Sequence, residues 1–434
     1  MIDRAGAAHE LTAPPARSLR VLLPTLGSAG DVHPFVALAL ALRARGHRPM
    51  IVTNPLFAPL IERLGLEFLP VGTVENARRL IGDPDLWHPR RGLGLVVRDV
   101  ILPSVEPVYR LIEAQADAAT VVAASSIALG ARVAQERLGI PTASVHLQPA
   151  VLRSVVDQGT LGPLRISARQ PMWLKRAAFH LLDRLVIDRL LTGPLNEFRG
   201  GLGLACVDRP FAQWMHSPQR VIGFFPAWYA PPQPDWPPQT RLVGFPLWDG
   251  ADGAAPMPSA AQRFLDDGAP PLVFTAGSAA ATMTGFFAAS AQAAERLGRR
   301  AMLITNHAGQ LPRQLPAGVQ AFDYLPFSAV LPRAALVVHH GGIGTVAQAL
   351  HAAVPQLVVA NAHDQFDNAF RVERLGVGRS LARRRYSAAR AARAIGSLLD
   401  DPATRRHSQE CRGWIDSAAA LDRACDLIER LPLA

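Results

Sequence analysis

Lysine is almost missing from this chain. Lys175 is its one instance among 45 basic residues, so arginine carries the formal charge of +10. The arginines are scattered, and the densest run, Arg383-Arg384-Arg385, is short. That distribution speaks against the basic stripe of a nucleic-acid groove and for a solvated, arginine-biased surface. A weak affinity for anionic membrane surfaces stays open. Cysteine is scarce too: Cys206, Cys411 and Cys425 are odd in number, widely spaced and without a CxxC pair. A disulfide framework or zinc knuckle is therefore not expected, and a reducing compartment is. No apolar run reaches the length of a membrane span, and the first 18 residues lack the apolar core of a secretory leader. The expected location is cytoplasmic, with peripheral contact to the inner membrane left open. No HExxH and no Gly-x-Ser-x-Gly elbow is present, which removes the commonest zinc-hydrolase and serine-hydrolase readings.

What is present suits a globular chain: 49% hydrophobic and 18% charged residues over 434 positions. That length fits two domains of roughly 200 residues each. Apolar strands alternate with amphipathic helices from Leu19 to about Phe225, and again from Leu272 to about Leu399. The alternation predicts two doubly wound parallel sheets. Between them, 226–260 holds Pro226, Pro231, Pro232, Pro234, Pro237, Pro238 and Pro246, and reads as an interdomain connection. The expected division is a first domain over 1–225, a linker over 226–260, a second domain over 261–411, and a C-terminal helix over 412–434 that packs back on the first domain.

Four motifs sit where strands end and helices begin. His339-His340-Gly341-Gly342-Ile343-Gly344-Thr345 combines close-approach glycines with a helix start, a natural seat for a diphosphate. His340 and Thr345 add side-chain donors. Thr275-Ala276-Gly277-Ser278 is a second phosphate-type turn. His363-Asp364-Gln365-Phe366-Asp367-Asn368 pairs a carboxylate with an amide, suited to neighbouring sugar hydroxyls; Asp364 could equally be a helix cap. Gly27-Ser28-Ala29-Gly30-Asp31-Val32-His33-Pro34 is a glycine-rich first turn. The second strand ends Thr53-Asn54-Pro55, without the acidic ribose clamp of a dinucleotide site. Asp31 and His33 are placed instead for acid–base work. The adjacent His339 and His340 point to opposite faces and cannot easily share a metal.

The order of these motifs resembles the inverting GT-B glycosyltransferases that include antibiotic and natural-product transferases. Gly82 to Trp87, Gln213 to Gln219, Phe225 to Gln233 and His363 to Ala369 are similar, within that family, to the rhamnosyltransferase B subunits of rhamnolipid biosynthesis. The resemblance implies an α/β GT-B fold, two Rossmann-like domains facing a cleft. It implies Asp31 as general base, with Ser278, His340, Gly342, Gly344 and Thr345 cradling the donor diphosphate. Asp364 and Gln365 would hold the donor sugar, and Tyr324 and Leu325 the nucleobase. Gly30, His33 and Trp87 are acceptor-side candidates. No metal or other cofactor is expected. The implied co-substrates are dTDP-L-rhamnose and a 3-(3-hydroxyalkanoyloxy)alkanoate, with an acceptor-synthesising partner enzyme left open. Rival readings are a UDP-glucose transferase for sterols or polyketides, a nucleotide-sugar 2-epimerase, a non-enzymatic transferase-activating partner and a nucleic-acid binder.

Overall fold

The computed structural model describes residues 18–88, 91–157, 159–161, 164–165, 170–250, 257–277 and 283–431. The first sheet is built from β1 (Arg20–Pro24), β2 (Arg48–Thr53), β3 (Glu67–Pro70), β4 (Thr120–Ser125) and β5 (Thr142–His146). A short antiparallel ladder, β6 (Thr160–Leu161) with β7 (Leu164–Arg165), stands apart. β8 (Arg220–Gly223) and β9 (Thr240–Leu242) complete the first sheet in the order β3-β2-β1-β4-β5-β8-β9. All its pairings are parallel. The second sheet holds β10 (Leu272–Thr275), β11 (Ala301–Ile304), β12 (Val319–Phe322), β13 (Leu336–His339), β14 (Gln356–Val358) and β15 (Gly378–Ser380). Its order is β12-β11-β10-β13-β14-β15, again parallel.

The strands are apolar on both faces because both faces are covered. In β1, Val21 and Leu23 enter one core while Leu22 enters the core on the opposite side. In β10, Leu272 and Phe274 face one way and Val273 the other. The strand order reverses between β1 and β4 in the first sheet, and between β10 and β13 in the second. These switch points open a crevice at the carboxyl ends of the strands, where doubly wound sheets take their ligands. The loops that follow β10 and β13 carry Gly277 and His340, and the helix start after β1 carries Asp31.

Several elements differ from the sequence expectation. The first helix begins at Ala29 rather than Pro34, capped by Ser28, so Asp31 lies in its first turn and Pro34 inside it. Proline cannot donate to the carbonyl four residues back, which leaves the Gly30 carbonyl without that partner. The proline-rich stretch is more than a connection. Thr240–Leu242 adds the last strand of the first sheet. Phe225, Tyr229, Trp236 and Phe245 are buried with Val346, Leu350, Ala369 and Val372 of the second half in a shared core. The C-terminal helix, expected over 412–434, spans Ser417–Glu429, and a separate helix, Pro402–Gly413, precedes it.

The helix Ser417–Glu429 returns to the first sheet. Ala424, Cys425, Ile428 and Leu431 join the core of Val32, Phe35 and Leu38. Arg45 binds Asp422 and Asp426 at 2.9 and 2.6 Å. His47 accepts the Leu19 N–H at Nδ1, which leaves Nε2 to donate to Glu429 at 2.9 Å. Of the three free cysteines, Cys411 and Cys425 are buried and Cys206 is exposed. Ile428→Ala should cost about 2–5 kcal/mol, as core truncations do. In hydrogen exchange the loss of protection should fall on β1 and the helix Ala29–Ala44. Loss confined to the second sheet would contradict this packing.

Candidate functional site

Asp31 is held before any ligand arrives. Its Oδ2 accepts from the Ser28 N–H at 2.8 Å and from Ser28 Oγ at 3.2 Å. Its main-chain carbonyl accepts from Thr25 Oγ1 at 3.0 Å. Gly27 sits at φ +120°, and a Cβ there would lie 2.3 Å from Asp31 Oδ2. Glycine is required at that position both for its backbone and to admit the carboxylate. Asn54 Nδ2 donates to the Gly27 carbonyl at 3.1 Å and steadies the turn. Burial pushes the Asp31 carboxyl up to about 6, although the Ser28 donors pull it down. At neutral pH it is ionised yet more basic than an ordinary aspartate, which suits a general base.

Asp364 is the nearby carboxylate from the other domain. It stands at the N-cap position of the helix Gln365–Arg374 but makes no side-chain cap bond, so the cap reading fails. Its Oδ2 accepts from Asn368 Nδ2 at 2.7 Å. The same amide nitrogen donates to the Gly341 carbonyl at 2.9 Å, and Tyr229 OH donates to Asn368 Oδ1 at 3.0 Å. Burial, and then the charge of Asp31, push Asp364 up to about 7. The charge of Asp31 thus acts on Asp364 from the other domain. Gln365 is less available than expected. It is buried, and its Oε1 already accepts from the Asn361 and Ala362 N–H groups at 2.8 and 3.0 Å. Its amide NH2 is the part left to a sugar hydroxyl.

The turn after β13 separates the two histidines. His339 is fully buried, with Nδ1 accepting from Gly341 N–H at 3.1 Å and Nε2 donating to Gln356 at 3.0 Å. His340 turns toward the loop after β10. A Cβ on Gly277 would lie 2.5 Å from its Cε1, and one on Gly342 2.6 Å from its Nε2. The ring is gripped between those two glycines, so Gly342 serves the imidazole first. Burial holds His340 down at about 4, a neutral ring, and its buried Nδ1 has no partner among the described residues. Gly344 is different. A Cβ there would meet no atom within 4 Å. It sits in the first turn of the helix Ile343–His351, next to Thr345, where N–H groups lack intrahelical acceptors. Packing does not require this glycine, so open space over free N–H groups is its evident use. Ser278 lies outside the described residues.

The remaining expected residues divide. Tyr324 is exposed, and its OH donates to the Asp249 carbonyl at 2.6 Å, leaving a ring face open. Leu325 is 1% exposed within the core of the second domain, so only its main chain can meet a nucleobase. Gly30 is exposed at the helix start. His33 packs edge-on against Trp248, with ring centroids 5.1 Å apart, and burial holds it down at about 4. Trp87 lies at a seam with the second domain. Its carbonyl accepts from Asn361 Nδ2 at 3.0 Å, its ring meets His363, and the neighbouring Leu86 carbonyl accepts from His363 Nε2 at 2.9 Å. His363 holds φ +54°, uncommon for a residue with a side chain. Tyr229, Trp248 and Asn368 were not singled out in the sequence. The first two are hidden in the proline-rich stretch, and Asn368 was quoted without a role.

The first half of this chain, residues 21–156, matches the model of the glycosyltransferase family 28 N-terminal domain. Residues 298–421 match that of the erythromycin biosynthesis protein CIII-like C-terminal domain. The O-mycaminosyltylonolide 6-deoxyallosyltransferase of Streptomyces fradiae is 30% identical, over 95% of this chain and 97% of its own length. This chain belongs to the GT-B glycosyltransferases. Solved members of that fold agree with the architecture. The kitacinnamycin glycosyltransferase superposes with a TM-score of 0.74 at 22% identity, covering 96% of this chain and 99% of its own. The glycosyltransferase VinC, solved in complex with dTDP, does so with 0.63 at 20% identity, covering 96% and 100%. The turn at Gly342–Thr345 and the carboxylate of Asp31 stand in different halves of the chain, each following a strand of its own sheet.

Two outcomes follow from this geometry. Gly344→Ala should leave stability unchanged or raised by up to about 1 kcal/mol, since alanine favours a helix. It should also weaken nucleoside-diphosphate binding about tenfold or more, by calorimetry set beside thermal melting. A folded variant that binds as tightly as the parent would remove Gly344 from the donor seat. The second outcome concerns pH. Asp31 must be ionised to accept a proton, so kcat/KM should fall on acidification with an apparent pKa of 6 to 7 for the coupled carboxyls. Asp364 is still protonated where Asp31 titrates, so Asp364→Asn should leave that limb in place. A limb that moved to lower pH would mean that Asp364 ionises first.

Proposed function

We propose that this chain is an inverting transferase that moves L-rhamnose from dTDP-L-rhamnose to a hydroxyl of a 3-(3-hydroxyalkanoyloxy)alkanoate, giving a mono-rhamnolipid. The observation that supports the inverting chemistry is Asp31 itself, a carboxylate held by the Ser28 donors and made more basic by burial, whose charge acts on Asp364 of the other domain. The acceptor oxygen attacks the anomeric carbon as Asp31 takes its proton. The bond from that carbon to the diphosphate oxygen breaks on the opposite face, so one displacement inverts the centre. Negative charge grows on the departing diphosphate. The N–H groups at Ile343–Thr345, the Thr345 hydroxyl, neutral His340 and Ser278 are the donors assigned to it. Asp364 and the Gln365 amide take sugar hydroxyls, and the Tyr324 ring takes the base. Because those donors carry the leaving-group charge, the reading includes no metal requirement.

The rhamnolipid assignment rests on the strings Gly82 to Trp87, Gln213 to Gln219 and Phe225 to Gln233, and the deoxysugar donor is supported by a relative named for a 6-deoxyallosyl transfer. That relative also favours a second reading, in which the acceptor is a polyketide and the donor another dTDP-deoxyhexose. UDP-glucose is the donor that both readings disfavour.

Calorimetry with dTDP, UDP and their sugars separates these, and turnover on a hydroxyalkanoate against a polyketide aglycone separates the acceptors. The expected result is tighter dTDP binding, rhamnosyl transfer to the lipid, and undiminished turnover in chelator. Preference for UDP-glucose would discard the rhamnosyl reading and keep the fold. Asp31→Asn should lower turnover by about 10²–10⁴, the usual contribution of a positioned base, while nucleotide binding persists. Near-parental turnover in that variant would remove Asp31 as the base.

A further inference from the structure

Large apolar side chains are exposed in one place above all. Met172, Trp173, Leu181 and Leu185 are 53%, 69%, 57% and 59% exposed, and Leu174 and Leu190 are exposed beside them. All lie on one nearly continuous helical rod, Met172–Leu182, Asp183–Ile187 and Asp188–Gly201. The rod has two stripes with a spacing of four. Lys175, Phe179, Asp183, Ile187, Leu191 and Leu195 form the buried one. Ile187, Leu191 and Leu195 join the core that covers one face of the first sheet. Trp173, Ala177, Leu181 and Leu185 form the outward one. The outward stripe is therefore surplus to the fold, since the rod already has its buried face.

Charge decides what that stripe fits. Between Pro171 and Leu190 the exposed ionic residues are Arg176, Arg184 and Arg189, with His180 exposed among them. The two acids of the segment are withdrawn. Asp183 is buried between Arg153 and Arg209, and Asp188 is half-buried. An apolar stripe led by tryptophan, on a segment whose exposed ionic residues are all cations, matches an anionic bilayer surface: its apolar side chains enter the acyl boundary while the guanidinium groups meet phosphates. A contiguous patch of this kind on a monomer marks an interaction site. No helix among the described residues is long and apolar enough to cross a membrane, so the contact is parallel to the surface.

We infer that the face of 172–190 is a reversible docking site for anionic phospholipid bilayers. It holds the transferase at a lipid surface through Trp173, Leu181 and Leu185 and the flanking Arg176, Arg184 and Arg189. None of the cleft residues lies on this rod, so docking and nucleotide binding are separable.

The test is co-sedimentation of the full chain with phosphatidylglycerol–phosphatidylcholine vesicles and with phosphatidylcholine alone. Binding should require the anionic lipid and weaken with salt. Replacing the three arginines (Arg176→Gln, Arg184→Gln, Arg189→Gln) should weaken it about a hundredfold, at roughly fivefold per interfacial arginine. The triple Trp173→Ser, Leu181→Ser, Leu185→Ser should abolish it, with dTDP binding retained in both. Quenching by brominated acyl chains, lost in Trp173→Phe, gives a readout that does not depend on the triple variants folding. Failure to bind at low salt would overturn the proposal. So would binding that persists in both triples, or a dimer at this face without vesicle binding, which would assign it to a second copy.

Discussion

Two like charges in one crevice set the terms for the rest of this protein. Asp31 and Asp364 both sit where burial favours their neutral forms, and Asp31 is needed ionised for the proposed chemistry. Their folded-state pKa values lie above the ordinary carboxylate value, so the stability they contribute is present at low pH and is lost as pH rises through 6 to 7. The native state is thus under electrostatic strain where it works, and its neighbourhood resists relaxation. Gly27, Ser28, Thr25 and Asn54 fix one carboxylate or its turn. Asn368, bound to Tyr229 and the Gly341 carbonyl, fixes the other.

The same arrangement explains why the connection between the domains is not slack. Tyr229 reaches from the proline-rich stretch into the sugar-side network, and its ring is buried in the core shared with Val346, Leu350 and Ala369. Prolines remove helix and ladder options there, but they do not prevent aromatic side chains from packing. The turn Pro84–Trp87 meets Asn361 and His363, so the two halves also touch there. His363 holds its unusual backbone angle at that contact, which is where strain is expected in a protein whose two halves must meet around a substrate.

Much of this was legible in the residues, because the signals are local. A strand, a glycine turn and a helix start are written within ten residues, and that suffices to place Asp31, His340 and Asp364 at the carboxyl edges of two parallel sheets. What was not legible depends on distant pairs. That Gly342 and Gly277 grip one imidazole cannot be read from either turn. Nor can the commitment of the Gln365 oxygen to its own loop, or the burial of the Leu325 side chain. Thr240–Leu242 was obscured because prolines outweigh a three-residue strand, and such a strand forms only when β8 is present to pair with it. The helix end at Gly413 was missed because the apolar pattern of the last helix extends back to Arg412.

The return of Ser417–Glu429 to the first sheet has a consequence for synthesis. The core around Val32, Phe35 and Leu38 is finished by Ala424, Cys425, Ile428 and Leu431, the last residues of the described chain. A ribosome therefore releases the N-terminal half with an uncovered apolar groove, and that groove stays open while the whole second half is made. Two cores of the second half consist only of its own residues and can close first. In this molecule the order of translation and the order of completion run in opposite directions, and the nascent first half is the part that a chaperone would have to shield.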